Sequence, residues 1–286
     1  MTLLALFLVL TAAFIHATWN LLAKRASGGV AFIWLFGGIS SLIYAPPAMA
    51  VLVLQRPYIG PEQLGFIAGS AILHVAYYLV LQQGYSVGDL SLVYPLARGT
   101  GPMLSTAAAI ALFGERPSAT ALAGALLIGG SVFVLTSGTR SRREGRARQA
   151  VLFGLVTGCF IASYTLWDKR AVSVLLVPPL LMDWSAGVTR GVILAPFALS
   201  RWAEVRKEWD SHRLEVLGVA VLNPLSYILV LTALVFTPVS YVAPAREISI
   251  LIGAIFGARL LAEGDVVRRL GAAVGMVMGV VLLAVG

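Results

Sequence analysis

The sequence predicts an all-α integral membrane protein: ten transmembrane helices in two inverted five-helix repeats. Three observations carry this. Of the 286 residues, 59% are hydrophobic and only 12% charged, roughly half the charge of a soluble domain. The apolar residues gather in runs of about 20, enough to cross ~30 Å of hydrocarbon at ~1.5 Å per residue. Chain features also recur in order, half a chain apart. Backbone groups cannot stay unpaired in lipid, so the runs are helices, and the alternation of barrel strands is absent.

The first five spans are expected near residues 2–23, 31–54, 63–85, 90–113 and 118–137. The second five are expected near 150–168, 175–200, 213–236, 239–261 and 266–285. The opening MTLLALFLVLTAAFIHATWN has no basic residues at its start and outruns a signal-peptide core, so it reads as a retained span. Between the two sets lies SGTRSRREGRARQ, residues 137–149, the most polar stretch. The chain therefore divides into a first repeat (1–137), a basic cytoplasmic linker (138–149) and a second repeat (150–286).

Lys24-Arg25-Ala26 closes the first span and recurs as Lys169-Arg170-Ala171, 145 positions later. Arg98 and Glu115 recur as Arg246 and Glu263, both 148 positions later. Because each set has an odd number of spans, two consecutive sets lie in opposite orientations. A pseudo-two-fold axis in the membrane plane follows, with the expected binding site at the repeat interface.

Positive charge sets the orientation. Loops after spans 1, 3, 5, 7 and 9 hold 14 Lys and Arg residues; the opposite loops hold only Arg56, Arg116, Lys169 and Arg170. The richer side is read as cytoplasmic, which leaves both termini outside a multi-pass cytoplasmic (inner) membrane protein. The net charge of +8 is explained by these loops, so no nucleic-acid partner is expected. The single cysteine, Cys159, excludes an internal disulfide or a thiolate cluster. Gly154 and Gly158, Gly187 and Gly191, Gly253 and Gly257, and Gly271, Gly275 and Gly279 are small-xxx-small patterns. They fit packing within one bundle, with dimerisation through the Gly271 face as the alternative, so a monomer or homodimer is expected.

HATWNLLAKR ends the first span, SLVYPLARGTGP opens the fourth, and FGERPSATALAGALLIGG runs from the fourth into the fifth. VSYVAPAREIS and LLAEGDVVRRLGAAVG stand in the matching places of the second half. In these motifs and their order the whole chain resembles the EamA-type permeases of the drug/metabolite transporter superfamily. The resemblance implies alternating-access transport of a small metabolite across a cytoplasmic membrane, commonly export of amino acids or other metabolites; no cofactor is expected. A flippase for a lipid-linked anionic substrate is the alternative.

Charges inside spans mark the candidate site, since each costs roughly 2.5–3.5 kcal/mol to insert. Arg98 and Arg246 occupy matching helices and approach the midplane from opposite sides. Pro95, Gly99, Gly101 and Pro102 surround Arg98, and Pro244 precedes Arg246, so both helices are expected to be interrupted there. The expectation is an arginine-lined pocket for an anionic group; an Arg98–Glu247 ion pair that fixes packing is the competing reading. Arg190 is a further pocket candidate, whereas Asp183, seven residues earlier, reads as an interfacial acid. Tyr94, Trp19 and Asn20 complete the expected substrate-binding set, and Tyr164, Tyr227 and Tyr241 either line the cavity or pack between helices. His16, Glu247 and His74 are the candidates to couple transport to a proton. No H-E-x-x-H metal motif, G-x-S-x-G elbow or diphosphate-binding acid pair occurs, so neither an enzyme nor a metal site is expected.

Overall fold

The computed structural model describes residues 1–26, 29–87, 90–136, 147–258 and 266–286. Most of the basic linker, including Arg140, Arg142, Arg143 and Arg146, lies outside them, as do Arg259 and Glu263. Among the described residues there are eleven helical segments and no strand. The first repeat holds α1 (Leu3–Arg25), α2 (Val30–Gln55), α3 (Pro61–Val87), α4 (Leu90–Phe113) and α5 (Ala119–Thr136). The second holds α6 (Ala147–Ser173), α7 (Pro179–Ser200), α8 (Trp202–Phe236), α9 (Val239–Ala245), α10 (Ile248–Ala258) and α11 (Val266–Val285). The expected ninth span is split into α9 and α10, so the eleven segments make ten spans.

The packing obeys the inverted symmetry. α1 lies against α8, and its counterpart α6 lies against α3. α4 packs on α6 as α10 packs on α1, while α2 meets α7 and α5 meets α11 across the axis. Each repeat therefore builds its interface from the other rather than forming a separate bundle.

Glycine sets the closeness of these contacts, because association in lipid depends on backbone approach rather than on hydrophobic expulsion. A Cβ on Gly154 of α6 would stand 2.8 Å from Leu96 Cβ of α4. One on Gly124 of α5 would stand 2.6 Å from the Gly279 carbonyl of α11. The Gly275 and Gly279 pattern is thus consumed by packing inside the chain, whereas Gly271 has open space beside it.

Two helices depart from the expected bounds. α8 begins at Trp202 rather than near 213, but His212 has non-helical angles (φ −133°, ψ 30°). The polar turns before His212 pair among themselves, through Arg201–Glu204 at 3.8 Å and His212–Glu208 at 3.0 Å. This piece is too charged to enter the apolar slab, so the hydropathy pattern locates the span and misses the helix ahead of it. α6 runs on to Ser173, past the expected end at 168, and so takes in Lys169 and Arg170.

One face of the bundle is closed by backbone capping. The Glu115 carboxylate, from the α4–α5 loop, accepts from Val239 N at 2.7 Å and Ser240 N at 2.9 Å. It satisfies orphan donors at the start of α9 across the repeat boundary. Lys169 Nζ donates to the Leu234 carbonyl at 2.6 Å and the Thr237 carbonyl at 3.1 Å, covering the end of α8. Tyr241 receives Ser118 N at 3.4 Å and donates to the Gly286 carbonyl at 3.3 Å. The α4–α5 loop, the α8–α9 corner and the C-terminal residue therefore share a face, as ten spans require.

Candidate functional site

The break between α9 and α10 is the centre of the site. Pro244 has no N–H to offer the carbonyl one turn back. Beyond it the chain tightens: Glu247 N bonds to the Pro244 carbonyl at 3.0 Å, Ser249 N to Arg246 at 3.2 Å, and Ile250 N to Glu247 at 2.9 Å. These three-residue steps overwind the backbone and aim Arg246 and Glu247 apart.

Glu247 turns toward α4. Its Oε2 lies 3.0 Å from Arg98 Nε in a pair whose side chains are 4% and 8% exposed. Arg98 Nη2 also donates to Ser249 Oγ at 3.4 Å. The pair joins span 4 of one repeat to span 9 of the other. α4 itself stays helical through Pro95, Gly99, Gly101 and Pro102, so the interruption expected beside Arg98 is absent. Its glycines instead admit neighbours, Gly99 facing Phe133 and Gly101 facing Ile161.

Arg246 turns the other way, over the Tyr227 ring of α8 at 5.9 Å from its centroid. Among the described residues its guanidinium has no ion-pair partner within 4.0 Å. Around it stand aromatic and polar groups from four helices. His74 of α3 stacks on Tyr164 of α6 at 4.3 Å and meets Tyr227 edge-on at 5.5 Å. Tyr77 meets Tyr164 at 5.7 Å. His16 meets Trp19 edge-on at 4.8 Å, and Trp19 Nε1 donates to Ser226 Oγ at 3.3 Å. Arg98 and Arg246 are within electrostatic range of His16, and Arg190 and Arg246 of His74.

A shallow crevice lies between α2, α7 and α8, lined by Asp183, Arg190, Tyr44, Trp184, Ser41 and Asn223 among others. Trp184 Nε1 donates to the Ser41 carbonyl at 2.8 Å and Tyr44 to the Val221 carbonyl at 2.7 Å, which fixes its walls. Asp183, expected as an interfacial acid, is part of this wall.

The structure thus gathers His16, Trp19, His74, Arg98, Arg246 and Glu247 around one centre, with Arg190 at its α7 side. Asn20 is exposed and donates to the His16 carbonyl of its own helix at 2.7 Å. The Tyr94 side chain lies outside the described residues. Sequence reasoning missed Asp168. It is the last residue of the expected sixth span and is given no role there, yet it is 0% exposed and accepts from the Tyr227 hydroxyl at 2.5 Å. The one available signal was its spacing of four from Tyr164, which puts both on one helix face.

Comparison with known proteins agrees with this architecture. The model of the EamA-like transporter family matches twice, over residues 3–137 and 148–285. The chain belongs to that family: it is a multi-pass membrane transporter of the drug/metabolite transporter superfamily. A solved crystal structure of another protein superposes with a TM-score of 0.80 over 98% of this chain and 96% of that one, at 15% identity. That likeness supports the fold alone. No curated protein matches the chain.

Proposed function

We propose that the chain is a secondary transporter exporting a small anionic or amino-acid-like metabolite across the cytoplasmic membrane by alternating access. Arg246 receives the anionic end. The observation that carries this is the contrast between two arginines: Arg98 is committed to Glu247, whereas Arg246 sits at a helix break without an ion pair among the described residues. A guanidinium offers a planar fork that matches carboxylate or phosphate oxygens. Tyr227, Tyr164 and Trp19 supply flat walls for the rest of the solute, and Arg190 gives a second cation toward the crevice. Unwound backbone at the repeat interface is where rocking of one repeat against the other would alternate access to a fixed site.

The test is solute-dependent thermal stabilisation of the purified full chain, using amino acids, dicarboxylates and phosphate esters. Arg246→Gln should weaken binding by roughly 2–5 kcal/mol through loss of a charge-assisted contact. Arg246→Lys should restore little of it, because a point charge does not reproduce the fork. Binding that survives Arg246→Gln and is lost in Arg190→Gln would move the site into the crevice and overturn this assignment. Orientation follows from the loop charges: alkaline phosphatase fused after Gly286 should be active, and fused after Arg146 inactive. The reverse pattern would invert the transporter.

A further inference from the structure

We propose that Asp168 is the proton-binding carboxyl of this transporter, linked to the solute site through Tyr227 and Arg246. This rests on the reading of Arg246 as the anion receptor, but its test needs no solute.

Asp168 lies in α6 and is 0% exposed. Its Oδ2 accepts from Tyr227 at 2.5 Å. Ser70 of α3 faces the same carboxyl, yet Oδ1 makes no aligned hydrogen bond. No cation lies within salt-bridge distance among the described residues. A buried carboxylate without a cation is expensive, and with only the Ser70 hydroxyl facing it beside Tyr227, Oδ1 has room for a proton of its own.

The groups facing Asp168 come from every helix packed on α6. α3 brings Ser70, with His74 one turn on, and α7 brings Asp183, with Arg190 near His74. α8 brings Tyr227, with Arg246 beyond its ring, and α4 carries Arg98, already held by Glu247. On α6 itself, Tyr164 is one turn back and Lys169 is turned to the end of α8. His74 Nδ1 is 2.9 Å from the Ser70 carbonyl, which can only accept, so that nitrogen carries its hydrogen. The previously considered acid, Glu247, is occupied by Arg98.

The step is a protonation. A proton from water on one side forms an O–H bond at Oδ1, and it leaves to water on the other side after the cavity changes face. Arg246 favours the charged carboxylate when no solute is bound. A solute anion on Arg246 removes that support, so solute and proton bind together. An accumulated anion would then leave down its own gradient with a proton.

The experiment is infrared titration of the purified full chain in nanodiscs, following the C=O stretch of protonated carboxyl groups. One band should respond to pH in wild type, disappear in Asp168→Asn and persist in Glu247→Gln. Tyr227→Phe should shift the band, since it removes the hydrogen bond, and this holds as a test if Asp168→Asn does not fold. Arg246→Gln should raise the midpoint, as expected for a lost neighbouring cation. A band that survives Asp168→Asn, or is unmoved by Tyr227→Phe, overturns the proton site. A midpoint unmoved by Arg246→Gln overturns the linkage. Failure of solute binding at Arg246 would leave these bands in place, so the two readings fail separately.

Discussion

Span 4 and span 9 occupy the same place in the two repeats, carry arginines 148 positions apart, and behave differently. α4 holds two prolines and two glycines close to Arg98 and continues as one helix. The other copy has Pro244 alone beside Arg246, and it breaks into α9 and α10. The number of helix-breaking residues does not decide the outcome. Near Arg98 the glycines are close-contact sites on a helix braced by α6, α5 and α9. Near Arg246 the break lets Glu247 reach Arg98 while Arg246 reaches Tyr227. Adjacent residues on a regular helix point about 100° apart; the overwound turn lets tertiary contacts choose the two directions. One arginine is thereby held in an ion pair, and the other is the one proposed to receive the solute.

The largest test of this contrast removes one side of the ion pair. Glu247→Leu removes the acidic partner of buried Arg98, and should cost about 3–5 kcal/mol of stability. Replacing both residues together, Arg98→Gln with Glu247→Gln, should recover most of that. Unfolding of the purified chain in detergent measures both. A Glu247→Leu protein as stable as wild type would show that the pair does not brace the two spans.

A smaller effect is expected where α9 begins. Glu115→Ala removes the carboxylate that holds Val239 N and Ser240 N, a loss of about 1–2 kcal/mol for a capping group. It should also make a cysteine placed at Ser240 easier to alkylate, with Cys159 first replaced by Ala. Unchanged alkylation would mean that the loop contact does not keep this face closed.

Pro244→Ala sharpens the comparison further. If tertiary contacts rather than the proline impose the break, the change should alter stability by no more than about 1 kcal/mol. It would also leave the Arg98–Glu247 contact intact, because alanine tolerates the same angles. A gain well above that, with a continuous helix, would assign the break to the proline.

The smallest expected effect is that of Arg246→Gln on stability without solute. Arg246 has no ion pair among the described residues to lose, so the change should stay within about 1 kcal/mol. A loss as large as that of Glu247→Leu would give Arg246 a bracing role like that of Arg98.

Membrane residence, the span positions, the duplication and its inversion were determined by the sequence alone, because hydropathy and chain order are one-dimensional quantities. The arginines of the site were legible too, since a charge inside an apolar run needs no partner to be noticed. Which arginine is neutralised was decided only by the tertiary structure: Glu247 is one position from Arg246 in the chain, yet its carboxylate lies 3.0 Å from Arg98. Asp168 shows the same limit from the other side. It is the last residue of an expected span, beside Lys169 and Arg170, and nothing local marks it; the Tyr227 hydroxyl of α8 and the packing around α6 make it a buried acid. Burial and pairing belong to the packing of distant segments, and no local pattern contains them.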